Sequence, residues 1–323
     1  MTRIEARPLR LHDFEPQTDD FCAQVIEGLR KPQKELPCKF FYDREGSILF
    51  DQICELDEYY PTRTELSIMR DNINEMCAVL GERCMLVEYG SGSSLKTRIL
   101  LENLCDVAAY VPIDISRSHL LGAARSLAKK FAIEILPVCA DYTADFELPS
   151  PESSIDSTVV YFPGSTIGNF EPEAAKHFLR TARLRCGTGS GMLIGVDLKK
   201  DPQRLHAAYN DAKGVTAQFN LNLLARINRE AGGDFDLSSF AHYAFYNPVA
   251  GRIEMHLQSL REQIASIGEE PFAFREGETI FTESSYKYTL DEFAVLARES
   301  GYRVEHVWTD PQRFFSVQYL TST

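Results

Sequence analysis

Short apolar runs alternate with amphipathic segments between residues 84 and 198. The runs are CMLVEY (84–89), AAYVPID (108–114), EILPVCA (134–140), STVVYFP (157–163) and GMLIGVDL (191–198). The segments 95–104, 119–131 and 171–185 between them have helical spacing. Continuous apolar strands separated by helices are typical of a parallel sheet covered on both faces. The pattern therefore predicts an α/β fold with a doubly wound sheet.

The flanking segments have different patterns. Residues 17–80 predict helices, with a break at Pro61 and a T-x-x-E capping box at Thr62–Glu65 that opens a new helix. Residues 201–275 interrupt the strand pattern and predict a helical, polar-aromatic insertion. After it come a strand-like segment (278–288), a helix (290–300), and two strands (302–309 and 314–321) around the polar turn TDPQR. These last strands predict a hairpin at the sheet edge.

The changes of pattern divide the chain into four parts. We expect 1–75 to be the N-terminal helical part of a substrate domain, and 76–200 to be the cofactor-binding core. Residues 201–285 are then an inserted substrate-binding segment, and 286–323 are a C-terminal helix and strands that complete the sheet.

Charge and composition exclude several classes of partner. The formal net charge is −13, which disfavours nucleic acid and anionic membranes because both need a cationic face. No apolar run approaches the ~18 residues of a membrane span, so we expect a cytoplasmic protein. The 8 cysteines form no C-x-x-C pair and predict buried free thiols, and the 7 histidines show no metal-like spacing. We therefore expect no metal.

The loop LVEYGSGSSLKTR (86–98) resembles two nucleotide-binding motifs and completes neither. Leu95 stands where a dinucleotide loop has its third glycine and where a P-loop has the glycine before its lysine. A glycine-rich turn without diphosphate geometry, preceded by the acid Glu88, suits S-adenosylmethionine. Another nucleotide enzyme, or a purely structural turn, stays open from these residues alone.

Polar side chains follow the next three strands. Asp114 follows the second strand, where a carboxylate can accept from ribose hydroxyls. Asp141 and Tyr142 follow the third, where an acid and a ring can bracket adenine. Asn169 follows the fourth, and its amide offers donors and an acceptor to a substrate. Because the carboxyl ends of parallel strands share one edge, these positions predict a cofactor site there.

A wider set of motifs resembles one family. The motifs are KFFYD (39–43), LFDQICELDEYYPTRTE (49–65), EYGSGSSLKTR (88–98), GSTIGNF (164–170), DLKKD (197–201), GVTAQFNLNLL (214–224), INRE (227–230), RIEMHL (252–257) and TESSYKY (282–288). They resemble the histidine-specific Nα-methyltransferases of ergothioneine biosynthesis. The resemblance implies a class I, Rossmann-like S-adenosylmethionine-dependent methyltransferase core with an added α/β substrate-binding domain.

The resemblance also implies a role for individual residues. The cofactor-binding positions it matches are Gly90, Lys96, Asp114, Asp141 and Tyr142. The substrate-binding positions are Tyr59, Asn169, Tyr209, Met255, Glu283, Ser284 and Ser285. Of these, Asn169 and Tyr209 would hold the amino-acid end of the substrate, Tyr59, Glu283 and Ser285 would surround the ring, and Met255 would furnish an apolar wall. Tyr42 and Asn169 would be the catalytic residues, with Tyr42 near the reacting nitrogen.

The implied reaction is the transfer of three methyl groups from S-adenosylmethionine to the α-amino group of L-histidine. The products are trimethylhistidine (hercynine) and S-adenosylhomocysteine. This reaction is the first step of ergothioneine biosynthesis. We expect a monomer whose partner is L-histidine, without nucleic acid or membrane. The alternatives are an Nα-methyltransferase for another aromatic amino acid such as tryptophan, a nicotinamide-dependent oxidoreductase, and a non-catalytic binding protein.

Overall fold

The structure, a computed structural model, describes residues 9–14, 21–92, 95–187 and 189–323. It separates into two compact units. Unit 1 comprises Pro61–Lys199 and Tyr288–Thr323 together with residues 9–14. Unit 2 comprises residues 21–60 and Lys200–Lys287.

The helices and strands follow in chain order. The helices are α1 Phe21–Arg30, α2 Arg44–Cys54, α3 Tyr60–Leu80, α4 Leu95–Asn103, α5 Arg117–Ala128, α6 Pro172–Cys186, α7 Pro202–Tyr209, α8 Val215–Glu230 and α9 Leu290–Glu299. The strands are β1 His12–Asp13, β2 Cys84–Tyr89, β3 Val107–Asp114, β4 Glu134–Ile135, β5 Val138–Cys139, β6 Ser157–Phe162, β7 Gly191–Asp197, β8 Phe240–Asn247, β9 Arg252–Ser259, β10 Gln263–Ile267, β11 Glu270–Phe274, β12 Thr279–Tyr286, β13 Tyr302–Thr309 and β14 Phe315–Ser322.

A single sheet runs through unit 1. Its strand order is β1-β5-β3-β2-β6-β7-β14-β13, with β4 also beside β3. The strands β3, β2, β6 and β7 are parallel neighbours, whereas β14 is antiparallel to both β7 and β13. The predicted hairpin at the sheet edge is therefore confirmed. The order reverses at β2, whose neighbours are β3 and β6, and ligands of such sheets bind outside the carboxyl ends of the strands at this point.

Helix α3 belongs to the core of this sheet. Ile68, Met69 and Met76 are buried in the same apolar cluster as Leu86 and Leu193 of the central strands. The N-terminal part, predicted to extend to residue 75, therefore ends earlier in the structure, because residues from Pro61 onward pack in unit 1. The predicted break at Pro61 lies in the first turn of α3, where proline is tolerated since its missing N–H has no helical partner.

Unit 2 contains more strand than the sequence pattern indicates. Strands β8, β9 and β12 form an antiparallel sheet in the order β12-β9-β8, and β10 pairs with β11. The prediction of a helical insertion over 201–275 holds for α7 and α8 and is wrong for residues 240–274, which form four strands. Helix α8 lies against this sheet, where Asn220 Nδ2 donates to the carbonyl of His256 at 2.9 Å.

All eight cysteines are free, but only Cys84 and Cys139 are buried, while Cys105 is exposed. The expectation that the thiols are buried is therefore correct for two of them, since the others lie at helix surfaces and loops.

Within the ranges that the structure describes, no helix has the length and apolar character required to cross a membrane.

Leu86→Ala should destabilise unit 1 by about 2–5 kcal/mol, because Leu86 is fully buried in the central strand and alanine leaves a cavity. Urea denaturation followed by tryptophan fluorescence measures this, since the only tryptophan, Trp308, lies in the same cluster. The control is Leu184→Ala, at a side chain that is 74% exposed. Equal midpoints for the two variants would contradict this assignment of the core.

Candidate functional site

The glycine turn follows β2 at the carboxyl end of the sheet. Gly90 has a φ of +74° and Gly92 a φ of +43°, both in the region that disfavours a Cβ atom. The N–H of Gly90 donates to the carbonyl of Ile113 at 2.8 Å, which joins the turn to the end of β3. A Cβ on Gly90 would meet no described atom within 4 Å, so the backbone conformation, rather than crowding, requires glycine here.

Glu88 lies beneath this turn as a buried acid that receives two hydrogen bonds from the protein. Its Oε2 accepts from Thr97 Oγ1 at 2.6 Å and from the hydroxyl of Tyr110. Burial raises the pKa of Glu88 to about 7, although both hydrogen bonds and the nearby Lys96 oppose this shift. Glu88 thus ties β2 to α4 and β3 through its Oε2 atom.

Lys96 and Glu65 form a buried ion pair that the sequence pattern does not reveal. Glu65 is only 1% exposed, and its Oε2 accepts from Lys96 Nζ. Both of its oxygens also lie within hydrogen-bond distance of the Gly164 N–H, at 3.1 and 3.0 Å. The predicted capping box at Thr62–Glu65 is wrong, because α3 begins at Tyr60 and Glu65 serves this junction instead. An ammonium has three donors, so Lys96 keeps the capacity to bind a second carboxylate.

The next two strand ends carry the predicted acids. Asp114 ends β3 and accepts from the Ser116 N–H at 2.8 Å, and burial raises its pKa. Asp141 follows β5, and its Oδ1 accepts from the N–H and the hydroxyl of Thr143 at 2.9 and 2.6 Å. Because β2, β3 and β5 are parallel neighbours, the glycine turn and both acids lie along one edge of the sheet.

Aromatic rings surround Tyr142 at this edge. Its ring lies 5.8 Å from that of Tyr89, 6.1 Å from Phe162 and 5.9 Å from Phe178. Tyr142 itself is half-buried in this aromatic cluster.

Asn169 ends a short 3-10 helix, Thr166–Asn169, after β6. Ser165 at its start has a φ of +58°, and its Oγ accepts from the Asp197 N–H at 2.9 Å, which fastens the turn to β7. The side chain of Asn169 is half-buried and makes no hydrogen bond to the described part of the chain. Its amide is therefore available to a ligand.

In unit 2, the three predicted tyrosines lie in one cluster of aromatic rings. Tyr42 is 5.6 Å from Phe50, Phe50 is 6.4 Å from Tyr59, and Tyr59 is 6.4 Å from Tyr209. Phe219 of α8 contacts Tyr42 at 5.9 Å. Burial raises the pKa of the Tyr59 hydroxyl well above its ordinary value, so this tyrosine stays neutral.

Strand β12 presents alternate residues to opposite faces. Glu283 and Ser285 share one face, and Met255 of β9 is the cross-strand partner of Glu283. Ser284 points to the other face, where its cross-strand partner is Glu254. The structure therefore brings Glu283, Ser285 and Met255 together and separates Ser284 from them.

Lys287 joins this face, although the sequence patterns did not single it out. It is 2% exposed, and Nζ donates to Ser285 Oγ at 2.8 Å and to the Tyr209 hydroxyl oxygen at 3.1 Å. The Tyr209 hydroxyl in turn donates to Ser285 Oγ at 2.8 Å. The i, i+2, i+4 spacing of Glu283, Ser285 and Lys287 is the signal that could have identified it.

Glu283 differs from the other buried acids. It is 8% exposed, and no donor in the described ranges makes a hydrogen bond to it. Burial raises its pKa to about 7, while the charge of Lys287 acts in the opposite direction. A buried carboxylate without donors is costly unless a ligand supplies them.

Comparison with known proteins decides the family. The family described as "Histidine-specific methyltransferase, SAM-dependent" matches residues 21–322. This chain belongs to that family. The family resemblance and the dependence on S-adenosylmethionine are thereby confirmed, and the sheet of unit 1 confirms the predicted doubly wound α/β core.

Two relatives and one solved structure illustrate the similarity. The histidine N-alpha-methyltransferase of Mycolicibacterium smegmatis is 41% identical over 91% of this chain and 92% of its own. That of Mycobacterium tuberculosis is 40% identical over 88% of this chain and 90% of its own. An S-adenosylmethionine-dependent methyltransferase from Clostridium acetobutylicum is 9% identical, covers 86% of this chain and 98% of its own, and has a TM-score of 0.47.

Among the described residues, no group of three histidine, cysteine or acidic side chains is arranged to hold a metal ion.

Lys96→Met should weaken the binding of S-adenosylhomocysteine about tenfold or more, because a charge-assisted hydrogen bond to its carboxylate is lost. Titration calorimetry measures this, and the KM for the methyl acceptor should change less. Because the substitution leaves Glu65 buried without its counter-ion, the double variant Lys96→Met/Glu65→Gln provides a second test with a neutral pair. The control is Lys129→Met at an exposed site. Unchanged cofactor affinity in both Lys96 variants would refute the predicted contact.

Glu283→Gln should make the protein more stable relative to the wild type as the pH rises from 5 to 8. The folded-state pKa of Glu283 is raised from 4.5 to about 7, so its stabilising contribution is complete below pH 4.5 and is lost as the pH rises through 7. Glutamine does not titrate, and the difference in unfolding free energy should grow by up to about 3 kcal/mol. Calorimetry at both pH values measures it, with exposed Glu276→Gln as the control. A difference independent of pH would contradict the raised pKa.

Proposed function

We propose that this protein transfers three methyl groups from S-adenosylmethionine to the α-amino nitrogen of L-histidine. The product is Nα,Nα,Nα-trimethylhistidine, the first intermediate of ergothioneine biosynthesis. The observation that carries the proposal is the buried, donor-free carboxylate of Glu283 beside the hydroxyl of Ser285 on one face of β12. An imidazole ring supplies both an N–H for a carboxylate and a second nitrogen for a hydroxyl.

This pair of groups favours imidazole over indole. An indole ring also has an N–H, but it has no ring acceptor, so it would leave the Ser285 hydroxyl proton without a partner. A site that is built to hydrogen-bond a polar ring discriminates strongly against analogues that lack the partner atom, because its own buried groups then lose their hydrogen bonds. The alternative substrate tryptophan is therefore disfavoured by Ser285 rather than by Glu283.

The edge of the sheet fits the cofactor. The glycine turn at Gly90 brings the backbone close to a ligand without a phosphate-binding motif, and Lys96 can bind a carboxylate. Asp114 can accept from ribose hydroxyls, while Asp141 and Tyr142 provide an acceptor and a ring for adenine. When bound, S-adenosylmethionine supplies an electrophilic methyl group on a sulfonium.

The protein's own residues position and solvate the amine. The α-amino nitrogen must be neutral to attack, and Asn169 can orient it through its available amide oxygen. The C–S bond breaks as the C–N bond forms, and positive charge moves from sulfur to nitrogen, where aromatic faces such as Tyr42 stabilise it. The first two products each release one proton, to water or through the Tyr42 hydroxyl, before the next attack. Correct positioning alone can lower the barrier by about 7–11 kcal/mol in favourable cases.

Mass spectrometry of the reaction tests the proposal directly. The protein is incubated with S-adenosylmethionine and each of L-histidine and L-tryptophan, and products are fragmented to locate the methyl groups. We expect histidine to gain three methyl groups on the α-nitrogen with an unmodified ring, and tryptophan to react at least 100-fold more slowly. Methylation of tryptophan but not histidine, or of the imidazole ring, would refute the proposal.

A further inference from the structure

Lys287 occupies an unusual position for a lysine. Its side chain is buried, with 2% exposure, on the same face of the β12 end as Glu283 and Ser285. Its ammonium lies within 2.8 Å of Ser285 Oγ and 3.1 Å of the Tyr209 hydroxyl oxygen, and 5.1 Å from the centre of the Tyr209 ring. Burial of an ammonium is costly, so these contacts are an energetically significant part of the site.

The chemistry of Lys287, Ser285 and Tyr209 determines which group donates in each of their hydrogen bonds. An ammonium can only donate, so Ser285 Oγ and the Tyr209 oxygen both accept from Lys287. The phenol of Tyr209 is the stronger acid of the two hydroxyls, and it donates to Ser285 Oγ at 2.8 Å. A serine oxygen has two lone pairs, and both are then occupied.

The Ser285 hydroxyl can therefore make one further hydrogen bond, in which it donates its own proton. No acceptor in the described ranges receives that proton. The hydroxyl therefore faces a ligand as a donor and cannot serve as an acceptor while Lys287 and Tyr209 hold its lone pairs. Glu283, when ionised, is an acceptor only, and in that state the face carries one acceptor and one fixed donor.

We infer that Lys287 is a positioning residue that determines substrate specificity by fixing Ser285 as a hydrogen-bond donor. The inference rests on the proposed function, because it concerns how that site recognises the ring. The site then selects a ring with an N–H toward Glu283 and a lone pair toward Ser285, which is neutral imidazole. Without Lys287, Ser285 can turn its proton to Tyr209 and lose this preference.

The test compares L-histidine with two analogues, β-(pyrrol-2-yl)-L-alanine and β-(pyrrol-3-yl)-L-alanine. Each keeps one ring N–H, at one or the other of the two ring positions, and replaces the acceptor nitrogen by C–H. The readout is the ratio of kcat/KM for the first methylation of histidine to that of the better analogue. A purely structural defect lowers both rates and leaves this ratio unchanged.

We expect the ratio to fall about tenfold in Lys287→Met and in Lys287→Gln, because methionine has no donor and glutamine can also accept. Lys287→Arg should retain the ratio even where turnover falls, since arginine also only donates. Ser285→Ala should lower the ratio by a similar factor, and adding Lys287→Met to it should change the ratio less than twofold. Lys213→Met, at an exposed lysine of the same unit, is the control.

Two failures are distinguishable. If the wild type does not methylate histidine, the proposed function is wrong and the inference falls with it. If the wild type methylates histidine but the ratio is the same in Lys287→Gln as in Lys287→Arg, only the inference is wrong. The Gln and Arg variants keep a polar end at this position, so they decide the matter even where Lys287→Met does not fold.

Discussion

A single buried carboxylate joins several segments at the carboxyl edge of the sheet in unit 1. Glu65 lies on α3, pairs with Lys96 on α4, and accepts from the N–H of Gly164 in the turn after β6. It also lies so close to β7 that a Cβ on Gly195 would come within 2.2 Å of its Oε1. Four segments that are distant along the chain are therefore fixed by one side chain. Removal of the Lys96 charge leaves the Glu65 carboxylate buried and unpaired, which is usually strongly destabilising.

This junction explains why the segments at the carboxyl edge of the sheet have fixed positions. The ammonium of Lys96 is held by a protein carboxylate before a ligand arrives, so it need not be ordered on binding. The same carboxylate fastens the turn that leads to Asn169, whose other end is fastened by the bond between Ser165 and Asp197. Lys96 and the turn that carries Asn169 thus share one structural support.

The parts of the fold that could be predicted are those whose signal is local. The central strands are buried on both faces, and their continuous apolar runs, such as 84–89, indicate them to within one or two residues. Strand β8 has one half-exposed face, on which His, Tyr and Phe combine polar and apolar character. Its alternation of polar and apolar residues is therefore weak beside the strong helical pattern of α8. The T-x-x-E motif at Thr62 has a local signature of a cap, but tertiary contacts override it, since Glu65 finds its partner 31 residues away.

In the candidate site, too, the residues with a local signal could be predicted and those placed by tertiary contacts could not. Gly90, Asp114 and Asn169 could be located because each follows a recognisable strand. The role of Lys287 could not, because its partner Tyr209 is 78 residues away and only the register of β12 brings them together. A family resemblance supplies residues that match a motif. It does not supply the hydrogen bonds among them, and these decide which atoms remain free for a ligand.

Two acids with the same raised pKa show why the hydrogen bonds that each acid receives matter more than the pKa itself. Burial raises the pKa of both Glu88 and Glu283 to about 7. Glu88 Oε2 receives hydrogen bonds from Thr97 and Tyr110, so this acid is engaged within the protein and joins three elements of the fold. Glu283 receives none from the described residues, so folding leaves its desolvation uncompensated and a ligand with an N–H gains what the protein has not supplied. The hydrogen bonds that Glu283 lacks in the folded protein are therefore the ones that a ligand with an N–H can supply.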